Sequence, residues 1–413
     1  MEFIRPDINI DFIGKRKIAY MISGLLILFS IVLLMFRGGP RYGIDFAGGT
    51  VIQLRFADSV SIDAIKKGLS EVGIGNASVQ SFGDMEEHEY LVRTDISENT
   101  GEGFAEKLRD ALRKSTGIKP FFKITDGILK EMGDGGVPEN IVEKITGLKA
   151  EKDIPGEEFG NSLKSLLGET EVAQYQPLID KYAQSDVDIR RIEMVGPQVG
   201  KDLREKALFA IFYTLLMIAI YISGRFELKW MISGVVAAAL IGTVWLFSLL
   251  HISIPFLILM ALIITLVLFW FLELRYAMGA VVSLIHDVTI TVGAFALFDK
   301  EFSLSIIAAL LTIIGYSLND TIIVFDRIRE NLRKFTKDPL ETVINRSVNE
   351  TLSRTILTSG TTLIVVVALF VLGGGIIHDF AFALLIGIGV GTYSSVYVAS
   401  PILLAWQKFG KKR

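Results

Sequence analysis

Eight apolar runs interrupt an otherwise mixed sequence, at about 18–36, 207–224, 230–250, 255–273, 277–298, 303–325, 354–374 and 379–404. Each is close to the roughly 20 residues needed to cross a hydrocarbon core, so the pattern predicts eight transmembrane helices. A polar block at 37–205 separates the first run from the second and has the size of an ordinary domain. Apart from 326–353, the remaining connections are short. Within the block TVIQLRF at 50–56 alternates like a strand, SIDAIKKGLSEVG at 61–73 has the spacing of an amphipathic helix, and ASVQSF and HEYLVRT alternate again. A further helix is predicted near 102–114. Strand, helix, two strands and helix in that order predict a small open α+β sheet of ferredoxin-like type. From about 124 to 187, stretches such as GDGGVPENI and KDIPGEEFG read as a mostly helical insertion, after which the domain returns through DIRRIEMVGPQVG.

Composition agrees with the pattern. Hydrophobic residues are 51% of the chain and the mean hydropathy is +0.48, far above soluble averages, so this is an integral membrane protein. The net charge of -3 carries no basic signature for nucleic acid. With no cysteine there are no disulfides and no thiolate chemistry. The opening MEFIRPDINIDFIGKRK is charged for too long to be an ordinary cleavable signal, and the first apolar run reads as a retained span.

Where the charges sit sets the expected orientation. Lys15, Arg16 and Lys17 precede the first run; Arg225 and Lys229 follow the second; Arg275 follows the fourth; Arg327, Arg329, Arg333, Lys334 and Lys337 follow the sixth; Lys411, Lys412 and Arg413 end the chain. With eight spans all of these fall on one side, while the opposite turns carry only Lys300. Short basic flanks stay inside. The expected organisation is therefore a cytoplasmic N-terminus at 1–17, a first helix at 18–36, an external domain at 37–205, a seven-helix membrane domain at 206–404 and a cytoplasmic tail at 405–413.

A local repeat lies inside the membrane domain. FELKW at 226–230 and LELRY at 272–276 each follow one apolar run and precede another, and Val235–Val236 answers Val281–Val282. The stretch 229–273 reads as a duplicated helical hairpin that preserves the sidedness of everything after it. The positions matching His286 and Asp287 are Leu240 and Ile241, so the hairpin reads as accessory packing.

Three polar features fall at membrane depth, where an ionisable group is expensive and by default functional. One is Tyr316, Ser317, Asn319 and Asp320 in the sixth run, with Tyr316 and Asp320 on one helical face. A second is His286–Asp287 in the fifth. The third is Arg354 at the start of the seventh, followed by Thr358, Ser359, Thr361 and Thr362. Desolvation and a nearby cation act oppositely on a carboxylate's hold on its proton, so moving Arg354 relative to Asp320 would couple protonation to helix movement. About 2.3 kcal/mol per charge per 100 mV is available to drive this. Each feature also has a plain reading. Asp320 could be solvated near an interface among Asp326, Arg327 and Arg329, Arg354 could snorkel, His286–Asp287 could simply pin two helices, and Ser359, Thr361 and Thr362 could permit close helix contact. Gly387 and Gly391 in GIGVGTYSS have small-xxx-small spacing, and no preceding strand supports a nucleotide site. No G-x-S-x-G, Walker A, HExxH or Cys-based metal motif occurs. Asp287 and Asp320 lack the flanks of an intramembrane aspartyl hydrolase, so the chain does not read as an enzyme and calls for no cofactor or metal.

RYGIDFAGGT (41–50), IEMVGPQVG (192–200), SLIHDV (283–288), IIGYSLNDTIIVFDRIREN (313–331) and LSRTILTSGTTL (352–363), in this order, closely resemble motifs of the SecF family of preprotein-translocase subunits. The resemblance covers the first helix, the core of the external domain and the last four helices. It implies a partnership with SecD in a complex of the resistance-nodulation-division type, associated with the SecYEG channel and a YajC-like subunit, in the bacterial inner membrane. There it would use the proton gradient to help unfolded preproteins leave the channel. The family's proton-linked Asp and Arg fall on Asp320 and Arg354, with Asn319 in the same motif. DFAGGT matches the family signature in the external domain, with Asp45 structural and Gly48 and Gly49 permitting a tight turn. The hairpin and the insertion depart from the usual six-helix pattern. A transporter of lipid or small molecules from the same superfamily is the alternative reading.

Overall fold

The computed structural model describes residues 9–56, 59–75, 77–82, 88–95, 103–117, 121–122, 130, 133, 138–146, 154–155, 165, 187–248 and 254–410. The chain divides into two compact units, one of residues 48–197 and one of 1–47 with 198–413.

The smaller unit is built on strands β1 (Gly49–Phe56), β2 (Ser78–Phe82), β3 (Glu89–Thr94) and β6 (Val187–Val195). They pair antiparallel in the order β2-β3-β1-β6. Alternation in β1 sends Ile52, Leu54 and Phe56 to one face, where they meet Tyr90 and Val92 of β3. Helices α3 (Ile62–Glu71) and α4 (Phe104–Thr116) cover that face with Ile65, Leu69, Leu108 and Leu112. Each such fully buried side chain contributes about 1.5–3 kcal/mol. Ser61 starts α3 by accepting a hydrogen bond from Ala64 N at 3.3 Å. Gly48 and Gly49 have φ of +78° and +124°, and a Cβ on Gly49 would lie 2.5 Å from the Thr94 carbonyl oxygen. Only glycine fits there. Most of the expected insertion lies outside the described residues; within it are helix α5 (Glu139–Thr146) and a two-residue strand β5 (Ile154–Pro155), paired with β4 (Phe121–Phe122).

The larger unit is helical: α1 (Arg16–Arg37), the single turn α2 (Ile44–Ala47), α6 (Pro197–Glu227), α7 (Trp230–Ser248), α8 (Ile254–Phe271), α9 (Arg275–Leu297), α10 (Leu304–Lys334), α11 (Leu340–Leu372), α12 (Gly375–Ser394), a π turn (Ser395–Ala399) and α13 (Ser400–Gly410). Among the described residues six helices are long and apolar enough to cross a membrane, and α7 and α8 are shorter apolar helices. The protein is a multi-pass α-helical membrane protein carrying a small antiparallel sheet.

Helix α11 begins at Leu340 behind Pro339, not near 354 as its apolar run suggests. The polar stretch stays helical because Val343, Ile344, Ser347, Val348 and Thr351 are buried along one face. Buried Asn331 of α10 donates to Ser347 Oγ at 3.0 Å and to Glu350 Oε2 at 2.8 Å. The N-terminal segment docks on the same extension. Asn349 Oδ1 accepts from Ile10 N at 2.8 Å, Asn345 Oδ1 accepts from Phe12 N at 2.9 Å, and both Asn side chains donate to the Ile10 carbonyl. Arg16 pairs with Glu341.

The two ends of the repeated hairpin meet. Phe226 stacks on Tyr276 at 5.1 Å, Glu227 Oε1 accepts from Tyr276 N at 2.9 Å, and Lys229 Nζ donates to the Leu272 carbonyl at 2.7 Å. The hairpin therefore leaves and rejoins the bundle at one point.

Candidate functional site

Helices α9, α10, α11 and α12 pack with little room between them. A Cβ on Gly387 would stand 2.3 Å from Ile313 Cδ1, and one on Gly391 would stand 2.9 Å from Ser317 Cβ. This is the small-xxx-small contact its spacing suggests, and it brings a hydroxyl of α12, that of Ser394, within reach of the Asp287 carboxylate on α9.

Asp287 is fully buried and saturated with partners. Its Oδ1 lies 2.8 Å from His286 Nδ1, and its Oδ2 accepts from Ser317 Oγ at 2.6 Å and Ser394 Oγ at 2.8 Å. The far side of the imidazole continues the chain, with Nε2 3.1 Å from Ser23 Oγ of α1 and Ser23 Oγ 3.2 Å from the Tyr393 hydroxyl. The Tyr393 hydroxyl donates to the Ala19 carbonyl at 2.9 Å. This last bond orients the rest. With its proton on Ala19, Tyr393 accepts from Ser23, Ser23 accepts from Nε2–H, and a single proton is left for the line between Nδ1 and Oδ1. The pair is net neutral whichever of the two atoms holds that proton, which is how a buried His–Asp pair avoids the cost of an uncompensated charge.

Asp320, 1% exposed, is held differently. Among the described residues its hydrogen-bond donor is Ser359 Oγ of α11, at 3.2 Å from Oδ2. Ser359 in turn sits 2.8 Å from Thr392 Oγ1 of α12. One turn before Ser359, the Thr355 hydroxyl is buried with no partner among the described residues.

The other expected site residues are dispersed. Ser317 gives its hydroxyl to Asp287, not Asp320, and Tyr316 Oη donates to Thr362 Oγ1 at 3.2 Å. Asn319 and Arg354 are exposed on this chain, and Arg354 makes no ion pair with Asp320 among the described residues. Arg354 lies four turns into α11, not at its start. Asp45 Oδ2 accepts from Leu304 N at 2.7 Å, at the first turn of α10. Pattern reading overlooked Ser23, Thr392, Tyr393 and Ser394; the run of hydroxyls in GTYSS, inside an apolar segment, was the available signal. Among the described residues no cluster of three or more His, Cys, Asp or Glu side chains could hold a metal ion.

The comparisons with known proteins bear on this constellation. The family model "Protein export membrane protein SecD/SecF, C-terminal" matches residues 174–266 and again 253–409, and the "SecD/SecF GG Motif" model matches 33–60. The protein translocase subunit SecF of Magnetococcus marinus is 38% identical over 96% of this chain and 91% of its own length. The chain belongs to the SecF family. Another SecF, from Calditerrivibrio nitroreducens, is 33% identical over 100% of this chain and 99% of its own. The crystal structure of SecDF from Thermus thermophilus, a translocon-associated membrane protein, aligns with a TM-score of 0.59 at 26% identity over 98% of this chain. This chain spans 40% of that SecDF chain. The two matches to the C-terminal model overlap at 253–266.

Proposed function

We propose that the chain is an accessory subunit of the Sec preprotein translocase of the bacterial inner membrane which, with a SecD subunit, uses the proton motive force to promote late steps of protein export. Its relatives are named protein translocase subunits, and a SecDF chain more than twice as long leaves room for a SecD portion beside the part this chain matches. In this reading α7 and α8 bring the spans to eight, both termini are cytoplasmic, the sheet unit is external, and the order β2-β3-β1-β6 is that of a ferredoxin-like domain. The SecYEG channel, a YajC-like subunit and the emerging unfolded preprotein complete the assembly.

The contrast between the two carboxylates carries the assignment. Asp287 is saturated by His286, Ser317 and Ser394 in a closed neutral unit, which makes it a fixed brace. Among the described residues Asp320 has Ser359 alone, and a group with spare bonding capacity can gain and lose a proton without breaking a network. Asp320 is the carrier. Thr355, whose hydroxyl has no partner among the described residues and lies on the same face of α11 as Ser359, supplies a second donor when the carboxylate ionises. Arg354 is the countercharge and, with Asn319, faces outward toward SecD.

Wild type and Asp320→Asn, each assembled with SecD, are compared for completion of preprotein export into sealed vesicles after ATP is withdrawn. Only wild type should gain from an imposed proton gradient. Equal gain in both removes Asp320 from the coupling.

A further inference from the structure

Asp45 lies in the segment joining α1 to the sheet unit, and the contacts of that segment converge on the turn from α9 into α10. Phe302 N donates to the Arg41 carbonyl at 2.7 Å and Gly43 N donates to the Phe302 carbonyl at 3.0 Å, forming an isolated parallel bridge at Tyr42 and Phe302. Arg41 and Arg37 reach Asp299 at 2.9 and 2.6 Å. Phe46, 3% exposed, packs its ring 6.0 Å from that of Tyr42 and 6.4 Å from that of Phe302. Asp45 closes the junction by accepting from Leu304 N. Ser303, at the N-cap position of α10, makes no side-chain cap, so the acceptor that this helix end requires comes from a residue 259 positions away. A carboxylate is favoured at that end by the helix dipole.

Two features of the chain path give this junction a consequence. Downstream, Ala47 is followed directly by Gly48, where the sheet unit begins. On the other side, α10 runs unbroken from Leu304 to Asp320, about 24 Å at the usual rise. One rigid helix and this junction, in which the Asp45 carboxylate bonds the first turn of that helix, thus separate the intramembrane carboxylate from the root of the sheet unit.

We propose that Asp45 is a positioning residue of the coupling cycle, whose bond to α10 passes a displacement of that helix, following a change of charge at Asp320, to the sheet unit. The proposal rests on the reading of Asp320 as the proton carrier. The chain has no cysteine of its own, so pairs of spin labels report the two ends separately. Lys17→Cys with Lys337→Cys follows the helical unit, and Lys66→Cys with Leu297→Cys follows the sheet unit against it, in the full chain assembled with SecD.

Asp320→Asn, which fixes a neutral side chain, should shift both distance distributions relative to wild type. With Asp45→Ala added, the first pair should still shift, while the population change at the second pair should fall roughly fivefold, the weight of a lost helix cap. Asp45→Asn keeps an oxygen for the Leu304 N–H and should restore the shift. Three glycines inserted between Ala47 and Gly48 leave every junction contact in place and should mimic Asp45→Ala, which covers the case in which the alanine variant does not fold. An undiminished shift at the sheet unit in the Asp45→Ala or the glycine-insertion protein overturns the proposal. If Asp320→Asn moves neither pair, the carrier reading fails, and the proposal fails with it.

Discussion

At Asp287 three donors from three helices meet one carboxylate, and the arithmetic of removing it is unfavourable. Asp287→Ala would leave His286 Nδ1 and the Ser317 hydroxyl without their partner in a buried site, at about 1–3 kcal/mol for each unsatisfied group, while Ser394 keeps the Gly391 carbonyl at 3.1 Å. The expected outcome is a large fall in thermal unfolding temperature in detergent, whereas Asp320→Asn, which loses at most one weak acceptor, should unfold close to wild type. Reversal of that order would make Asp320 the brace and Asp287 the mobile group. The residue types at both positions were legible in the sequence, because an acidic side chain in an apolar run announces itself. The difference between them was not, since it depends on Ser23, Ser394 and Thr392, which arrive from other helices far along the chain.

Among the elements, α9 and α10 share a device that periodicity does not reveal. The first turn of each is capped by a carboxylate from elsewhere in the chain, Glu227 on Tyr276 N and Asp45 on Leu304 N. Caps are read from sequence when they sit next to their helix, and these do not, so Asp45 could be given only a general structural part. Glu227→Ala should cost about 1 kcal/mol as a lost cap, with Glu227→Gln near neutral because it keeps an acceptor for Tyr276 N; chemical denaturation of the full chain reads the difference. Strands and amphipathic helices of the sheet unit were plain from alternation, because one face of each is buried against the other. Helix ends in the membrane unit were misjudged, at α11 by 14 residues, because hydropathy marks where lipid ends and not where the helix does. Buried positions at Val343, Ile344, Ser347 and Val348 carry α11 onward through polar sequence.

On the scale of the whole molecule, the repeated hairpin is separable from the site. Deleting 228–273 would join Glu227 to Leu274 and leave the stacked pair Phe226 and Tyr276 and the Glu227 cap in place. It would uncover Phe212 and Leu216 of α6, which pack against Leu240 and Ile258 of the hairpin, at about 1.5–3 kcal/mol each if water reached them and less in lipid. The shortened chain should keep gradient-dependent export at a reduced thermal stability; loss of export with an intact fold would give the hairpin a direct part in the cycle. The docking of Ile10 and Phe12 on Asn349 and Asn345 has a consequence in time. Those partners stand 339 and 333 residues apart along the chain, so at usual synthesis rates the first segment waits roughly 15–70 s for its receptor to be made. The N-terminal clasp is therefore among the last joints to close, and its closure marks a chain whose α11 has already been delivered.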